Sequence, residues 1–364
     1  MKKYLAYIAL IPLTFLALTP PWSFNLSCDI NSLFWLWAIF ISGFLTFLFL
    51  YQNVSVWLKL FLIWCFISNF LSRAPYLSFT MYWSVIACAY YYVLCRKITD
   101  FTPVKKVIQA VFFFVTLLII MQCFGLDTLL NFNQKDTCVL GTIGNKMVLG
   151  SFVCVLAPFL VFNRLNLAVL VLIALISGST GTMLAVFAGL GYLLWVKTKW
   201  GKAVCLFLII CATLMALKQG DIYQFNRYGR LPVWKRTVEL VAKHPQGYGV
   251  ATYRLLFPIM SQDIAPCQGA DMAEWEYDNT TGKGLAWRRA HNSFVQLPFE
   301  VGIPGMILFS GFLISVIWKI RNPLVWAGII VVGVNMLTAF PERMTQSVLI
   351  LIMFLAMCKG EKNV

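Results

Sequence analysis

A succession of apolar runs, separated by short polar or basic joints, constrains this chain more than any other feature of it. A helix crossing a hydrocarbon core of about 30 Å needs roughly 17 to 25 apolar residues, fewer where it is short or broken. Twelve runs qualify, some by recruiting flanking residues: 5–19, 33–51, 54–71, 76–94, 107–125, 147–162, 167–176, 181–196, 203–217, 292–318, 324–340 and 348–358. Water-soluble folds carry roughly a quarter of their residues as charges. Here 12% are charged and 60% hydrophobic, which excludes an ordinary soluble globule. The expectation is an all-α polytopic membrane protein of about twelve transmembrane helices with one large periplasmic loop. Residues 1–217 would form spans one to nine, 218–291 an outer loop with short amphipathic helices, and 292–364 spans ten to twelve. Ser177, Gly178, Ser179 and Thr180 divide the seventh run from the eighth. Were these two runs a single helix, every later loop would change sides.

The charges test that count. Of 29 Lys and Arg, fourteen fall in the tails and short loops that the layout makes cytoplasmic: Lys2, Lys3, Arg96, Lys97, Lys105, Lys106, Arg164, Lys197, Lys199, Lys202, Lys319, Arg321, Lys359 and Lys362. Four, Arg73, Lys135, Lys146 and Arg343, fall in short outer loops. This is the bias of cytoplasmic loops toward positive charge, and it puts both termini in the cytoplasm. Lys59 lies close enough to a helix end to snorkel. A net charge of +15 would otherwise suggest a nucleic-acid binder; orientation in a membrane explains it, and no nucleic-acid partner is expected. Met1-Lys2-Lys3 and the first run resemble a secretory signal, but Thr19-Pro20-Pro21-Trp22 offers no small-x-small cleavage site, so an uncleaved first span is expected.

Most of the eleven cysteines lie in spans, where Cys acts as a small hydrophobe. Only Cys28, Cys138 and Cys267 would face an oxidising exterior, either as a disulfide pair with one thiol left over or as three thiols. No CxxC, HExxH, GxxxxGK[ST] or GxGxxG pattern is present, so no metal or cofactor is expected.

The outer loop concentrates what chemistry there is. Its basic half contains Arg227, Arg230, Lys235, Arg236, Lys243 and Arg254. Pro232 suits a first helical turn, Trp234, Val238, Val241 and Ala242 suggest one apolar face, and His244-Pro245 with Gly247 and Gly249 ends the helix. The expectation is a short amphipathic helix lying on the membrane. Arg227 and Arg230 stand just before it, where guanidinium forks and helix N–H groups can hold a diphosphate; binding of anionic lipid headgroups is the alternative. The loop ends on Arg288-Arg289-Ala290-His291-Asn292-Ser293. Two neighbouring cations disfavour the charged imidazole, leaving His291 neutral and able to act as general base, unless it only bonds loop backbone. Glu300 is ionisable at membrane depth. On a straight helix it stands half a turn out of phase with His291, so the two share a face only if Pro298 or Pro304 bends the chain, and a packing or gating role is expected for it.

In order, Gly229-Arg230-Leu231-Pro232-Val233-Trp234, then His244-Pro245-x-Gly247-x-Gly249, then His291-Asn292-Ser293-Phe294 with Glu300-x-Gly302-x-x-Gly305, resemble the O-antigen ligase/polymerase superfamily. The resemblance covers about the last 220 residues, from Gly141-Thr142-Ile143-Gly144-Asn145-Lys146 and its following Gly150. It implies a GT-C-like membrane glycosyltransferase of the bacterial inner membrane, working on the periplasmic side in lipopolysaccharide biosynthesis. The reaction would be metal-independent transfer of a glycan from an undecaprenyl-diphosphate carrier to an acceptor hydroxyl, on lipid A-core for a ligase or a growing glycan for a polymerase. His291 and Arg230 would be catalytic, and Arg227, Arg288, Arg289, Asn292, Lys146 and Glu300 would line the substrates. Membrane lipids complete the partners.

One position departs from the family. A Ser-Arg-Gly turn is common there, whereas this chain reads Ser179-Thr180-Gly181, so Lys146, Arg227 or another cation supplies the charge, or the donor is held differently, or the protein is a diverged member with altered activity. One large loop without a long C-terminal domain favours a ligase over a polymerase. A flippase or other transporter is the alternative from another class, but transporters place charge near the midplane and often carry inverted repeats. Here the charges gather in one outer loop and no repeat is evident.

Overall fold

The computed structural model describes residues 55–98, 100–124, 146–160, 163–198, 203, 230–261, 290–318, 320–339 and 345–360. These residues are helical and contain no strand among them. In chain order the helices are α1 (Val56–Phe70), α2 (Pro75–Cys95), α3 (Thr102–Cys123), α4 (Lys146–Leu160), α5 (Arg164–Ile176), α6 (Thr180–Lys197), α7 (Arg230–Lys243), α8 (Tyr253–Met260), α9 (Ser293–Ile317), α10 (Pro323–Met336) and α11 (Thr345–Gly360). Among the described residues four stretches are long and apolar enough to cross a membrane: Leu77–Cys95, Thr102–Cys123, Thr180–Lys197 and Ser293–Ile317. The expected runs at 54–71 through 181–196 and at 292–318 onward coincide with helices. Those at 5–19 and 33–51, and all but Ala203 of 203–217, lie outside the described residues, as do Cys28, Cys138 and Cys267.

The break between the seventh and eighth runs is present. Ser177 ends α5, its N–H donating to the Ile173 carbonyl at 2.8 Å, and Gly178 then takes φ 61°. That left-handed step costs glycine nothing and prevents one continuous helix. Asn163 and Asn322 start α5 and α10, each side-chain carbonyl accepting the N–H two residues on, at 2.8 and 2.9 Å.

The chain forms two compact units. One contains α3 to α6, α10, α11 and α2 from Ala87 onward. Within it α10 packs against α6 and α4, and α11 against α4. Glycines permit the close approach: a Cβ on Gly328 would lie 2.6 Å from the Pro158 Cα, and one on Gly189 3.0 Å from the Ala327 carbonyl oxygen. Between lipid-facing helices such small-residue contacts supply the packing that water would otherwise drive. Gly328→Val should therefore force α10 from α4 and cost about 1–3 kcal/mol, read as a lower unfolding temperature in detergent.

The other unit contains α1, α2 up to Ile86, α7, α8 and α9 as far as Ser315. Here α1 runs antiparallel to α9. Ser55 meets Ser315, the Phe61 and Phe309 rings are 5.2 Å apart, and the Trp64 indole donates to the Val301 carbonyl at 2.6 Å. This unit holds α7, α8 and His291.

Candidate functional site

The site grows from the first turn of α9. Asn292 caps that helix, its Oδ1 accepting from the N–H groups of Phe294 at 2.9 Å and Val295 at 3.3 Å. His291 stands just outside, at φ 53° and 1% exposed. Histidine is among the side chains that tolerate this left-handed region better than most. Because α9 begins only after His291, the half-turn phase argument against Glu300 does not apply. The link runs through Gln296, whose Oε1 accepts from the Ala290 N–H at 3.2 Å while its Nε2 donates to Glu300 Oε1 at 3.0 Å. Glu300 is buried, and its other oxygen accepts from the Ala251 N–H at 2.9 Å.

Further along, α9 is broken at Gly302, which takes φ 73° and ψ 175°. The bend thus falls on the glycine, between Pro298 and Pro304. Pro304 has no N–H to offer the Glu300 carbonyl, and the Ile303 N–H is diverted to the Pro245 carbonyl at 2.8 Å. The carbonyls of Phe299 and Glu300 accept instead from the N–H groups of Tyr248 at 2.9 Å and Gly249 at 2.8 Å. The turn 244–249 therefore closes on the break like a short extra strand. No side chain fits between them: a Cβ on Gly247 would meet the Gly302 nitrogen and lie 2.6 Å from the Glu300 carbonyl oxygen. The two glycine motifs, separated by half a hundred residues of sequence, are one contact.

Residues 230–261 pack over this junction. Tyr248 stacks on Phe299 at 4.5 Å, Tyr253 on Phe257 at 4.6 Å, and Tyr253 meets Phe299 edge-on at 4.9 Å. The Tyr253 hydroxyl pairs with Thr237 Oγ1 at 2.9 Å. Burial pushes its phenol well above the usual tyrosine range, the Thr237 bond opposing the rise and the Glu300 charge adding to it. Burial also raises Tyr248, against the opposing pull of Arg73 and Arg236.

Helix α7 has Pro232 in its first turn, and its buried face differs from the apolar face expected to meet the membrane. Val233, Thr237, Leu240 and Val241 are buried, while Val238 and Ala242 are exposed. The polar Thr237 can turn inward because the Val233 carbonyl and the Tyr253 hydroxyl satisfy it. Leu231 and Val238 are left on the exterior, with Trp234 half-buried on the same stripe. The Trp234 indole donates to the Ala290 carbonyl at 2.6 Å, tying α7, one turn after Arg230, to the residue before His291. Arg230 is half-buried at the head of α7.

Of the expected site residues, Arg230, His291, Asn292 and Glu300 belong to this unit. Arg227, Arg288 and Arg289 lie outside the described residues. Lys146 opens α4 and Thr180 opens α6, in the other unit. Arg236 is engaged within the fold, donating to the Met260 carbonyl at 3.0 Å and pairing with Glu239 at 3.3 Å.

Two participants were not expected. Gln296 had a local signal, since an amide one turn after an N-cap Asn is placed to reach back to the helix start. Arg73 had none: it donates to His244 Nε2 at 3.1 Å and lies 5.7 Å over the Tyr248 ring, while its neighbour Ser72 donates to the Tyr248 carbonyl at 2.5 Å. An exposed guanidinium thus stands beside the 244–249 turn.

Residues 165–310 match the family model described as O-antigen ligase. The match supports the O-antigen ligase/polymerase superfamily, whose members are glycosyltransferase-like enzymes. Together with the apolar helices it indicates a membrane protein. No curated protein matches the chain.

Proposed function

We propose that this chain, with its O-antigen ligase match, transfers a glycan from an undecaprenyl-diphosphate carrier to an acceptor hydroxyl, in the manner of an O-antigen ligase with lipid A-core as acceptor. One observation carries the reading: the Trp234–Ala290 bond and the shared core join the helix headed by Arg230 to the residue preceding His291. A base and a fixed cation then belong to one scaffold, as transfer to a hydroxyl requires. A ring nitrogen of His291 takes the acceptor proton, and the acceptor oxygen attacks the anomeric carbon. The bond to the carrier breaks, and its electron pair leaves on the diphosphate. Arg230 stabilises the charge that grows there, with Arg227, Arg288 and Arg289 as further cations.

The topology that serves this reaction has twelve spans in the bacterial inner membrane, both termini cytoplasmic. Residues 1–217 and 292–364 lie in the membrane and 218–291 outside it. The outward Leu231–Trp234–Val238 stripe supports α7 lying on the outer surface of the bilayer.

Arg230→Ala should lower kcat/KM with a synthetic lipid-diphosphate donor by about 10- to 100-fold, and Arg230→Lys by less, because the point charge survives without the fork. Wild-type kinetics in Arg230→Ala would remove the arginine from the reaction. The products formed in cells identify the acceptor. Loss of a ligase leaves unligated lipid-linked polymer, whereas loss of a polymerase leaves single capping repeats.

A further inference from the structure

Two non-glycine residues among those described adopt left-handed φ, Ala251 at 57° and His291 at 53°. Such conformations persist only where the surroundings hold them, and they gather at working sites. The two belong to different segments, yet one side-chain bridge reaches both. Ala251 donates its own N–H to Glu300 Oε2 at 2.9 Å, Glu300 Oε1 accepts from Gln296 Nε2 at 3.0 Å, and Gln296 Oε1 accepts the N–H of Ala290, the residue before His291, at 3.2 Å. Gln296 and Glu300 are one helical turn apart on α9, at 5% and 1% exposure.

The directions of these bonds are fixed by chemistry. A backbone N–H only donates, so the Gln296 amide must present its oxygen to Ala290 and its nitrogen to Glu300. Each polar atom in the bridge has one correct partner, and none can be exchanged without breaking a link. The apolar packing of Phe299 and Tyr253 would hold α9 without any of this.

We propose that Gln296 and Glu300 are positioning residues: together they fix the backbone at His291 and at the Gly249–Ala251 turn, so that the base and the turn stay in register during transfer. This rests on reading His291 as the base.

The test uses the full-length protein in detergent or nanodiscs with a synthetic lipid-diphosphate glycan donor and its acceptor. Gln296→Met keeps the volume and removes the bridge. Glu300→Gln keeps the shape but leaves one of the donors facing an NH2 group, and it serves if Gln296→Met fails to accumulate. Each should lower kcat by about 10- to 100-fold, the range expected when a reacting group is misplaced by an ångström, with KM for the donor within about twofold. In a His291→Ala background the same changes should alter the remaining rate by less than about twofold, because there is no base left to position. An equal loss in both backgrounds, or a rise in KM at unchanged kcat, would overturn the bridge and make these residues merely structural. Loss in His291→Ala alongside a normal Gln296→Met rate overturns the bridge but leaves the base. A normal rate in His291→Ala overturns the functional reading itself.

Discussion

Replacing His291 by asparagine is expected to lower glycan transfer by about 100- to 10,000-fold, the contribution of a positioned general base. Asparagine is the informative choice. It tolerates the left-handed backbone that His291 adopts at φ 53°, whereas alanine adds the strain of that conformation to the loss of the imidazole. The Asn292 cap and the Gln296 bond to Ala290 should both survive, so unfolding temperature and donor KM should stay near wild type. The acceptor hydroxyl loses its proton acceptor, and the fall should appear in kcat. The measurement is single-turnover transfer to a defined acceptor, with thermal unfolding run in parallel. A variant keeping more than about a tenth of the wild-type rate would exclude His291 as the base, since general-base catalysis contributes at least an order of magnitude more.

Gly302→Ala should be the most damaging of the glycine substitutions. Its φ of 73° and ψ of 175° fall in a region that is essentially glycine-only. An added Cβ would also meet the Gln246 carbonyl carbon and lie 2.5 Å from the Pro245 carbonyl oxygen, both backbone atoms that cannot rotate away. Strain and overpacking together should cost about 3 kcal/mol or more. The turn 244–249 would be pushed from the break, and activity should fall with stability. Gly333→Ala is the control, because nothing lies within 4 Å of its added Cβ; it should stay within about 1 kcal/mol of wild type. Equal unfolding temperatures for the two variants would show that the break is not held by this contact.

The spans that could be compared were legible because length and apolarity are local properties of the chain. The division of α5 from α6 was legible for the same reason: Ser177, Gly178 and Ser179 cannot continue an apolar helix. What escaped depends on partners elsewhere. The buried face of α7 was not legible, because Thr237 looks polar until the Tyr253 hydroxyl is set beside it. The tie between Glu300 and the residue before His291 could not be read from helix phase, because it runs through the Gln296 side chain to the Ala290 backbone. The His-Pro-x-Gly-x-Gly and Glu-x-Gly motifs could be noticed in the sequence, but not that Gly247 and Gly302 lie against each other's backbone segments. Arg73 carries no mark in the sequence beyond its place in a short outer loop.

The pairing of the 244–249 turn with the broken helix also sets an order of assembly. Tyr248 and Gly249 donate to carbonyls that the ribosome makes about fifty residues later, several seconds at ordinary elongation rates. Until α9 has been synthesised, those N–H groups need water or another polar partner, because hydrocarbon offers no acceptor. The turn therefore closes only when α9 arrives beside it. Completion of the site is a late event that waits on the synthesis of α9.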